Sequence, residues 1–520
     1  MMYMTQGLRR AAKLMPNKAA LISDKRSWTW IEFQDRVARF AGALHGLGLK
    51  TEDRVAMLSF NQDRYAEYYY GVFWAGANVV PMNIRWSLPE HVYSIKDSET
   101  RFLIVDDAFA EMGAAIAKEC PSVEFVIFAG DGACPDGMLS FDALVSDGNP
   151  AADAFRSGED MAGIFYTGGT TGFPKGVMLP HRALWASSMC FGAPANITAD
   201  DVHIVAPPLF HIAGSAMLFG LTIFGGSHVF IPGFEPKAFL NAVTANKGTI
   251  SLLVPTMIGM MLQSPDLEDA DTSSLTRLIY GASPMTLAIL KEAMEKMPET
   301  RFIHAYGQTE LAPLATLLGS DYHVLEGPKA EKIRSVGQAI PAVEIEIVNE
   351  DGDEVPRGQS GEVRVRGANT MLGYWKNPEQ TAATLKDGWV YTGDGGVMDE
   401  DGFLYIVDRV KDMIITGGEN VFSAEVENAV MQYPGLSECA VIGIPDEKWG
   451  EAVHAIVVPR AGETPEPDAV IAKCRELIAA YKCPRTVEVR AEALPKSGAG
   501  KIQKFELRAP FWEGRDRNVS

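Results

Sequence analysis

The sequence predicts an α/β protein with a large N-terminal domain of parallel α/β layers, a small barrel-like β part, and a small α+β C-terminal domain. Three observations carry that expectation. The chain has 520 residues, 47% hydrophobic and 22% charged, which is enough for several buried cores and too long for one. Up to about residue 335, short β-rich runs alternate with helix-length patterns, as parallel strands joined by crossover helices require. Beyond that point the strands become short and alternating, with Asp-Gly and Arg-Gly turns between them, and over the last hundred or so residues helix and strand alternate again.

Taken in order, "DRVAMLSF", "ANVVPMN", "TRFLIVDD" and "VEFVIFAG" read as buried strands, with "RYAEYYYGVFWAG" as a helix between the first two. "HIVAPP", "SLLVPT" and "TRLIYGAS" continue the strands. The uncharged stretch His211 to Pro232 approaches membrane-spanning length, but Gly225, Gly226 and Ser227 break it into a buried helix, a turn and a strand. "EIEIVNEDGDEVPRGQSGEVRVRG" reads as antiparallel strands. After the charged segment starting at Asp408 come a helix around Ala424–Gln432, strands in "ECAVIGIP" and "AVHAIVVPR", and a helix around Ala469–Ala480.

Charge and cysteine usage narrow the class. Lys and Arg number 47 against 67 Asp and Glu, a net charge of −20, so a general nucleic-acid binder is not expected. The six cysteines at 120, 134, 190, 439, 474 and 483 form no CxxC pair and fit reduced thiols in a cytoplasmic setting. The N-terminus carries no signal-peptide pattern, and no transmembrane segment is expected.

The densest motif is "YTGGTTGFPKGV", Tyr166 to Val177. Gly168, Gly169 and Gly172 permit close backbone approach, and clustered N–H groups form an anion nest. Thr167, Thr170 and Thr171 add hydroxyls and Lys175 adds a charge, a set suited to a polyphosphate. A stretch so rich in glycine is not expected to form an ordinary helix or strand. The common NTPase loop GxxxxGK[ST] does not fit, because Pro174 precedes Lys175 and Gly176 follows it. Four further motifs follow: "YGQTE" at 306–310, "YTGDGG" at 391–396, "DRVKDMIITGGEN" from 408, and "LPKSGAGKIQK" near the C-terminus.

This ordered set resembles the AMP-forming acyl-CoA synthetases, in the acyl-adenylate-forming superfamily with luciferases and adenylation domains, over nearly the whole chain. One departure is Gly168, where the family usually has Ser. The resemblance implies an ATP-dependent carboxylate–CoA ligase acting through an acyl-AMP intermediate, with ATP, Mg²⁺ and coenzyme A. It implies that Thr167, Gly168, Gly169, Thr170, Thr171, Gly172 and Lys175 cradle the β- and γ-phosphates, and that Glu310 and Thr167 hold the metal. Thr309, beside Gln308, touches the α-phosphate. Gly281, Ala282 and Ser283 line the adenine, Tyr306 stacks on it, and Gly307 belongs to the same nucleotide site. Asp394 and Arg409 bind the ribose, the alternatives being a turn residue and a surface ion pair.

The same resemblance makes Lys501 the charge that bridges carboxylate and α-phosphate. It divides the chain into 1–408, a hinge at 409–411, and a mobile small domain at 412–520 that rotates between half-reactions. Lys411 falls at the hinge, Gly418 lines the pantetheine tunnel, and Glu425 supports the rotated state or caps a helix. His211 gates the acyl pocket or takes a proton. The pocket is expected to include His211, Met257, Gly281, Gly307 and Val336, with Met260 and Met261 near Met257 adding an adaptable apolar lining. That favours a medium- or long-chain fatty acid or an aryl acid. A carrier-protein-loading adenylation enzyme is the alternative, and a homodimer is compatible with the sequence.

Overall fold

The computed structural model describes residues 2–513, except 170, 171, 284, 410, 411, 417, 418, 447, 498, 499 and 501; side chains at 168, 169, 172, 173, 193, 408, 409, 415, 419 and 420 also fall outside the description. Among the described residues the strands form four sheets. The first has nine strands, and its parallel centre runs Arg301–Gly307, Arg277–Gly281, Ile250–Leu253, Val202–Val205, Ser227–Phe230 and Ala19–Ile22 in spatial order. Antiparallel strands close both edges.

The second sheet has eight strands. Leu139–Ser140, Phe125–Phe128, Phe102–Val105, Arg54–Leu58, Asn78–Pro81 and Met161–Gly169 are parallel, followed by antiparallel Gly172–Pro180 and Gly373–Tyr374. Four of them, Arg54–Leu58, Asn78–Pro81, Phe102–Val105 and Phe125–Phe128, are the strands that the apolar runs predict.

A pair of helices joins the two sheets. Every residue of the helix Asp63–Ala75 is buried, including three charged ones, which are paired: Asp63 with Arg26, Arg64 with Asp131, and Glu67 with Arg36. It stops at Gly76, whose φ of +81° supplies the left-handed cap. The Tyr68 hydroxyl donates to the Val55 carbonyl at 2.8 Å and accepts from the Val80 N–H at 2.9 Å, which ties the helix to the second sheet. The Tyr69 hydroxyl donates to the Leu209 carbonyl at 2.6 Å on the other side. Tyr69, Tyr70 and Phe73 pack their rings 5.0, 6.2 and 5.9 Å from Phe219, which lies on the helix Ile212–Phe224. That helix, the left-handed Gly225 and the strand Ser227–Phe230 are how the uncharged stretch folds. No described helix is long and apolar enough to cross a membrane.

The third sheet is antiparallel and barrel-like, with Val343–Val348, Ser360–Gly367, Trp389–Met398, Leu385–Lys386 and Leu404–Arg409. The fourth belongs to a separate C-terminal domain. Its strands Leu436–Asp446 and Gly450–Pro459 pair along their length, with the helices Ser423–Val430 and Pro467–Leu477 close to the predicted positions. All six cysteines are free.

Phe219 is fully buried at the contact of the two central helices. Phe219→Ala is expected to cost about 3–5 kcal/mol by leaving a cavity there. A lowered urea midpoint measures that loss.

Candidate functional site

The glycine-rich stretch is a β-hairpin, which corrects the expectation that it forms no strand. Met161–Gly169 and Gly172–Pro180 pair antiparallel, with Thr167 opposite Lys175 and Gly169 opposite Gly172. The ladder absorbs the glycine by tight packing. A Cβ on Gly163 would come within 2.4 Å of Val79 Cγ2, and one on Gly176 within 2.6 Å of Ile164 Cγ2. The register shifts between the Thr167–Lys175 and Gly169–Gly172 pairs, where two residues, 173 and 174, of the returning strand stand opposite Gly168, so that strand is bulged near the tip. Thr170 and Thr171 lie outside the described residues.

Two side chains of this region meet through a residue that the motifs did not point to. Lys175 Nζ donates to Gln380 Oε1 at 3.0 Å and sits 5.7 Å above the Tyr374 ring. The Tyr374 hydroxyl donates to Glu310 Oε1 at 2.7 Å. Burial, and after it the Glu310 carboxylate, push the Tyr374 phenol up, so it stays protonated and donating at neutral pH. Tyr374 is held against the hairpin by pairing with Val177, and the Trp375 N–H donates to the Gly176 carbonyl at 2.7 Å. The signal for it lies in "LGYWKNPEQ": Gly373 has a φ of +140°, and a Cβ there would meet Thr381 Cγ2 at 2.7 Å.

The carboxyl ends of neighbouring parallel strands supply the next wall. Gly281 is opposite Ala305, and a Cβ on it would lie 2.0 Å from the Ala305 carbonyl oxygen. A Cβ on Gly307 would lie 1.8 Å from the Pro313 carbonyl oxygen. Both positions therefore exclude any side chain. Ala282 takes a left-handed φ of +66°, which is uncommon for alanine. Ser283 and Gln308 are partly buried, and Thr309 is buried where the short turn Thr309–Leu311 begins. The Tyr306 hydroxyl donates to Asp394 Oδ2 at 2.7 Å. Asp394 is buried, and its own N–H donates to Thr392 Oγ1 at 3.1 Å. Its ladder partner across the barrel-like sheet is Arg409, whose side chain lies outside the described residues.

His211, Met257, Gly281 and Gly307 follow four neighbouring strands: Val202–Val205, Ile250–Leu253, Arg277–Gly281 and Arg301–Gly307. Carboxyl ends of parallel strands are where open α/β sheets take their ligands. His211 caps the helix Ile212–Phe224, its Nδ1 accepting the Ala213 N–H at 3.3 Å. A neutral ring held that way carries its proton on Nε2, which is then a donor. Met257 is partly buried on the helix Pro255–Gln263. Of the neighbours expected to add an apolar lining, Met260 is 52% exposed and Met261 is fully buried in the core behind. At i, i+3 and i+4 the three share one broad face of the helix, with Met260 and Met261 at its opposite edges, so one edge meets solvent and the other the core. Val336 is buried in the cluster of the barrel-like part, with Leu311 and Ala315.

In the C-terminal domain Lys411, Gly418 and Lys501 lie outside the described residues. Glu425 is not a cap: its two oxygens each accept from Lys482 Nζ at 2.8 Å, and the helix begins after Phe422. Among the described residues no cluster of three or more His, Cys, Asp or Glu is placed to hold a metal ion.

Fold and site together define an enzyme that holds a nucleotide across the carboxyl ends of a parallel sheet, beside a glycine-rich hairpin. The chain belongs to the AMP-binding enzyme family, whose model matches residues 8–375, and the model of the AMP-binding enzyme C-terminal domain matches residues 425–501. It is 37% identical over 507 residues to a feruloyl-CoA synthase of Amycolatopsis sp, covering 96% of this chain and 98% of that one. It is 33% identical over 509 residues to the fatty acid–[acyl-carrier-protein] ligase ScoC of Streptomyces coeruleorubidus, covering 97% and 96%. The structure of ATP-bound MatB from Rhodopseudomonas palustris matches with a TM-score of 0.87 at 32% identity, covering 98% of this chain and 99% of that one.

Removing the Tyr306 hydroxyl takes from Asp394 a hydrogen bond of the charged class, about 1.5–3 kcal/mol. Tyr306→Phe is expected to weaken AMP binding roughly tenfold, as read by calorimetric titration, with the melting temperature little changed.

Proposed function

We propose that the chain is an AMP-forming carboxylate–CoA ligase acting on an aryl acid or a medium- to long-chain fatty acid. The observation that carries this reading is the pair of tethers, Lys175–Tyr374–Glu310 and Tyr306–Asp394, which gathers the family's motif residues around the strand ends. In the first half-reaction a carboxylate oxygen bonds to the α-phosphorus of ATP, and pyrophosphate leaves with the electrons of the broken P–O bond. In the second, the thiol sulfur of coenzyme A bonds to the acyl carbon, the thiol loses its proton, and AMP leaves with the C–O electrons.

The roles proposed for the individual residues follow from the family resemblance. Thr167 to Gly172 offer the hairpin's amides and hydroxyls to the β- and γ-phosphates, and Lys175 adds its charge. Gln380 and the Tyr374 ring already hold that amine, so little reorganisation is needed when charge builds up. Glu310 and Thr167 are hard oxygen donors, which suits Mg²⁺, and the ion when bound neutralises phosphate charge. Thr309, beside Gln308, faces the α-phosphate. The Tyr306 ring stacks on an adenine lined by Gly281, Ala282, Ser283 and Gly307, while Asp394 and Arg409 take the ribose. Lys501 supplies the charge between carboxylate and α-phosphate. With Nε2 as donor, His211 is a gate and wall of the acyl pocket rather than a base for the thiol.

The division at 408, the hinge at 409–411 and the mobile part at 412–520 belong to the same reading, with Lys411 at the pivot and Gly418 on the pantetheine path. Rotation would take Lys501 out and bring the thiol in, one site assembled twice. The acid class is supported by the relatives' printed activities and by Met257. Loading of a carrier protein is the second reading, favoured by the similarity to ScoC. The free thiols support a cytoplasmic setting, and the net charge of −20 supports small-molecule rather than nucleic-acid partners.

Pyrophosphate release measured over ferulate, benzoate, octanoate, dodecanoate and palmitate, with and without coenzyme A, tests the proposal. Release followed by AMP and acyl-CoA with one acid class supports it; release without acyl-CoA transfers the assignment to a carrier protein. Lys501→Ala is expected to slow pyrophosphate release by about 10²–10³-fold and to spare thioester formation from synthetic acyl-AMP.

A further inference from the structure

The loop that leads to Lys501 is held at two levels. Its root belongs to the C-terminal domain: Lys496 bridges to Ile502, and Glu438 accepts from Lys496 Nζ at 2.6 Å and from the Leu494 N–H at 3.0 Å. Ser497 and Gly500 rest on the large domain. The Ser497 carbonyl accepts from Arg85 Nη1 at 3.2 Å and from the Gly500 N–H at 2.9 Å. Gly500 has a φ of +82°, and a Cβ on it would lie 3.3 Å from Thr256 Oγ1 and 3.4 Å from Val254 Cγ2.

Arg85 and Thr256 come from different sheets. Arg85 follows the strand Asn78–Pro81, which neighbours the phosphate hairpin through the Val79–Gly163 pair. Thr256 follows Ile250–Leu253 of the nine-stranded sheet. The loop therefore spans the carboxyl ends of both. Arg85 is built to be there. Its N–H donates to Asn83 Oδ1 at 3.0 Å, fixing the turn. Next in the chain, the Trp86 ring packs edge-on 6.4 Å from Tyr166, the residue before Thr167. Tyr166 is itself anchored, its hydroxyl donating to Asp97 Oδ2 at 2.6 Å. Arg85 and the phosphate hairpin thus stand on one aromatic footing.

We infer that Arg85 is a positioning residue for Lys501, docking the loop through the Ser497 carbonyl so that the lysine meets the phosphates during acyl-AMP formation. This rests on the reading of Lys501 given above. An exposed hydrogen bond suits this role, since it holds Ser497 and breaks easily when the small domain turns for the second half-reaction. For the same reason its loss does not threaten the fold.

The test compares Arg85→Ala, Arg85→Lys and Lys501→Ala in the full chain, with whichever acid of the panel is turned over. Arg85→Ala is expected to lower kcat for pyrophosphate release roughly tenfold, leaving the KM for ATP and the thioester step from synthetic acyl-AMP unchanged. Arg85→Lys keeps a donor and restores most of the rate. Amide exchange over residues 494–503, measured without substrate, rises in Arg85→Ala. A raised KM for ATP at constant kcat would make Arg85 a nucleotide contact and overturn the inference, as would equal losses in both half-reactions or unchanged exchange. Full pyrophosphate release by Lys501→Ala would instead overturn the reading of the lysine itself.

Discussion

The buried rings of Tyr69, Tyr70, Phe73 and Phe219 set the spacing between the two large sheets, and every group of the site is measured from the carboxyl ends of those sheets. Aromatic pairs of this kind add directional packing to a large burial of area. The glycine-rich hairpin grows from one sheet, and the glycine-lined wall from the other. If the helices between them shifted, Lys175 and Gly281 would move apart without either being touched. The tyrosine hydroxyls bonded to Val55 and Leu209 make the spacing specific as well as stable.

Much of this was readable along the chain because it is periodic. Apolar runs marked the parallel strands, and the break at Gly225 turned a membrane-length stretch into a helix and a strand. The hairpin was not readable, since glycine weakens a strand locally and only pairing and close packing reverse that preference. Tyr374, Gln380 and Arg85 were not readable either. Each acts through contacts with residues far away in sequence, and such contacts leave no local pattern. Met260 and Met261 are a case of another kind: the helical period puts both on one face with Met257, and only the packing around the helix decides which edge of that face is buried.

The site residues divide according to what holds them. Gly281 and Gly307 are fixed by backbone packing that no side chain could survive, so this wall is rigid before any ligand arrives. Glu310, Lys175 and Asp394 are held by side-chain bonds to tyrosines and an amide. These are well placed to exchange protein partners for ligand oxygens. A rigid wall facing adjustable charges fits chemistry in which the aromatic base stays put while the phosphates change bonding.

Tyr374 has a consequence for how this sequence can drift. Its ring faces Lys175 and its hydroxyl faces Glu310, so one side chain serves two partners. Groups that share a partner do not respond independently to substitution. The history of these three positions is therefore expected to be joint: a substitution tolerated at one of them depends on what the other two already are, and the tyrosine is where that epistasis is enforced.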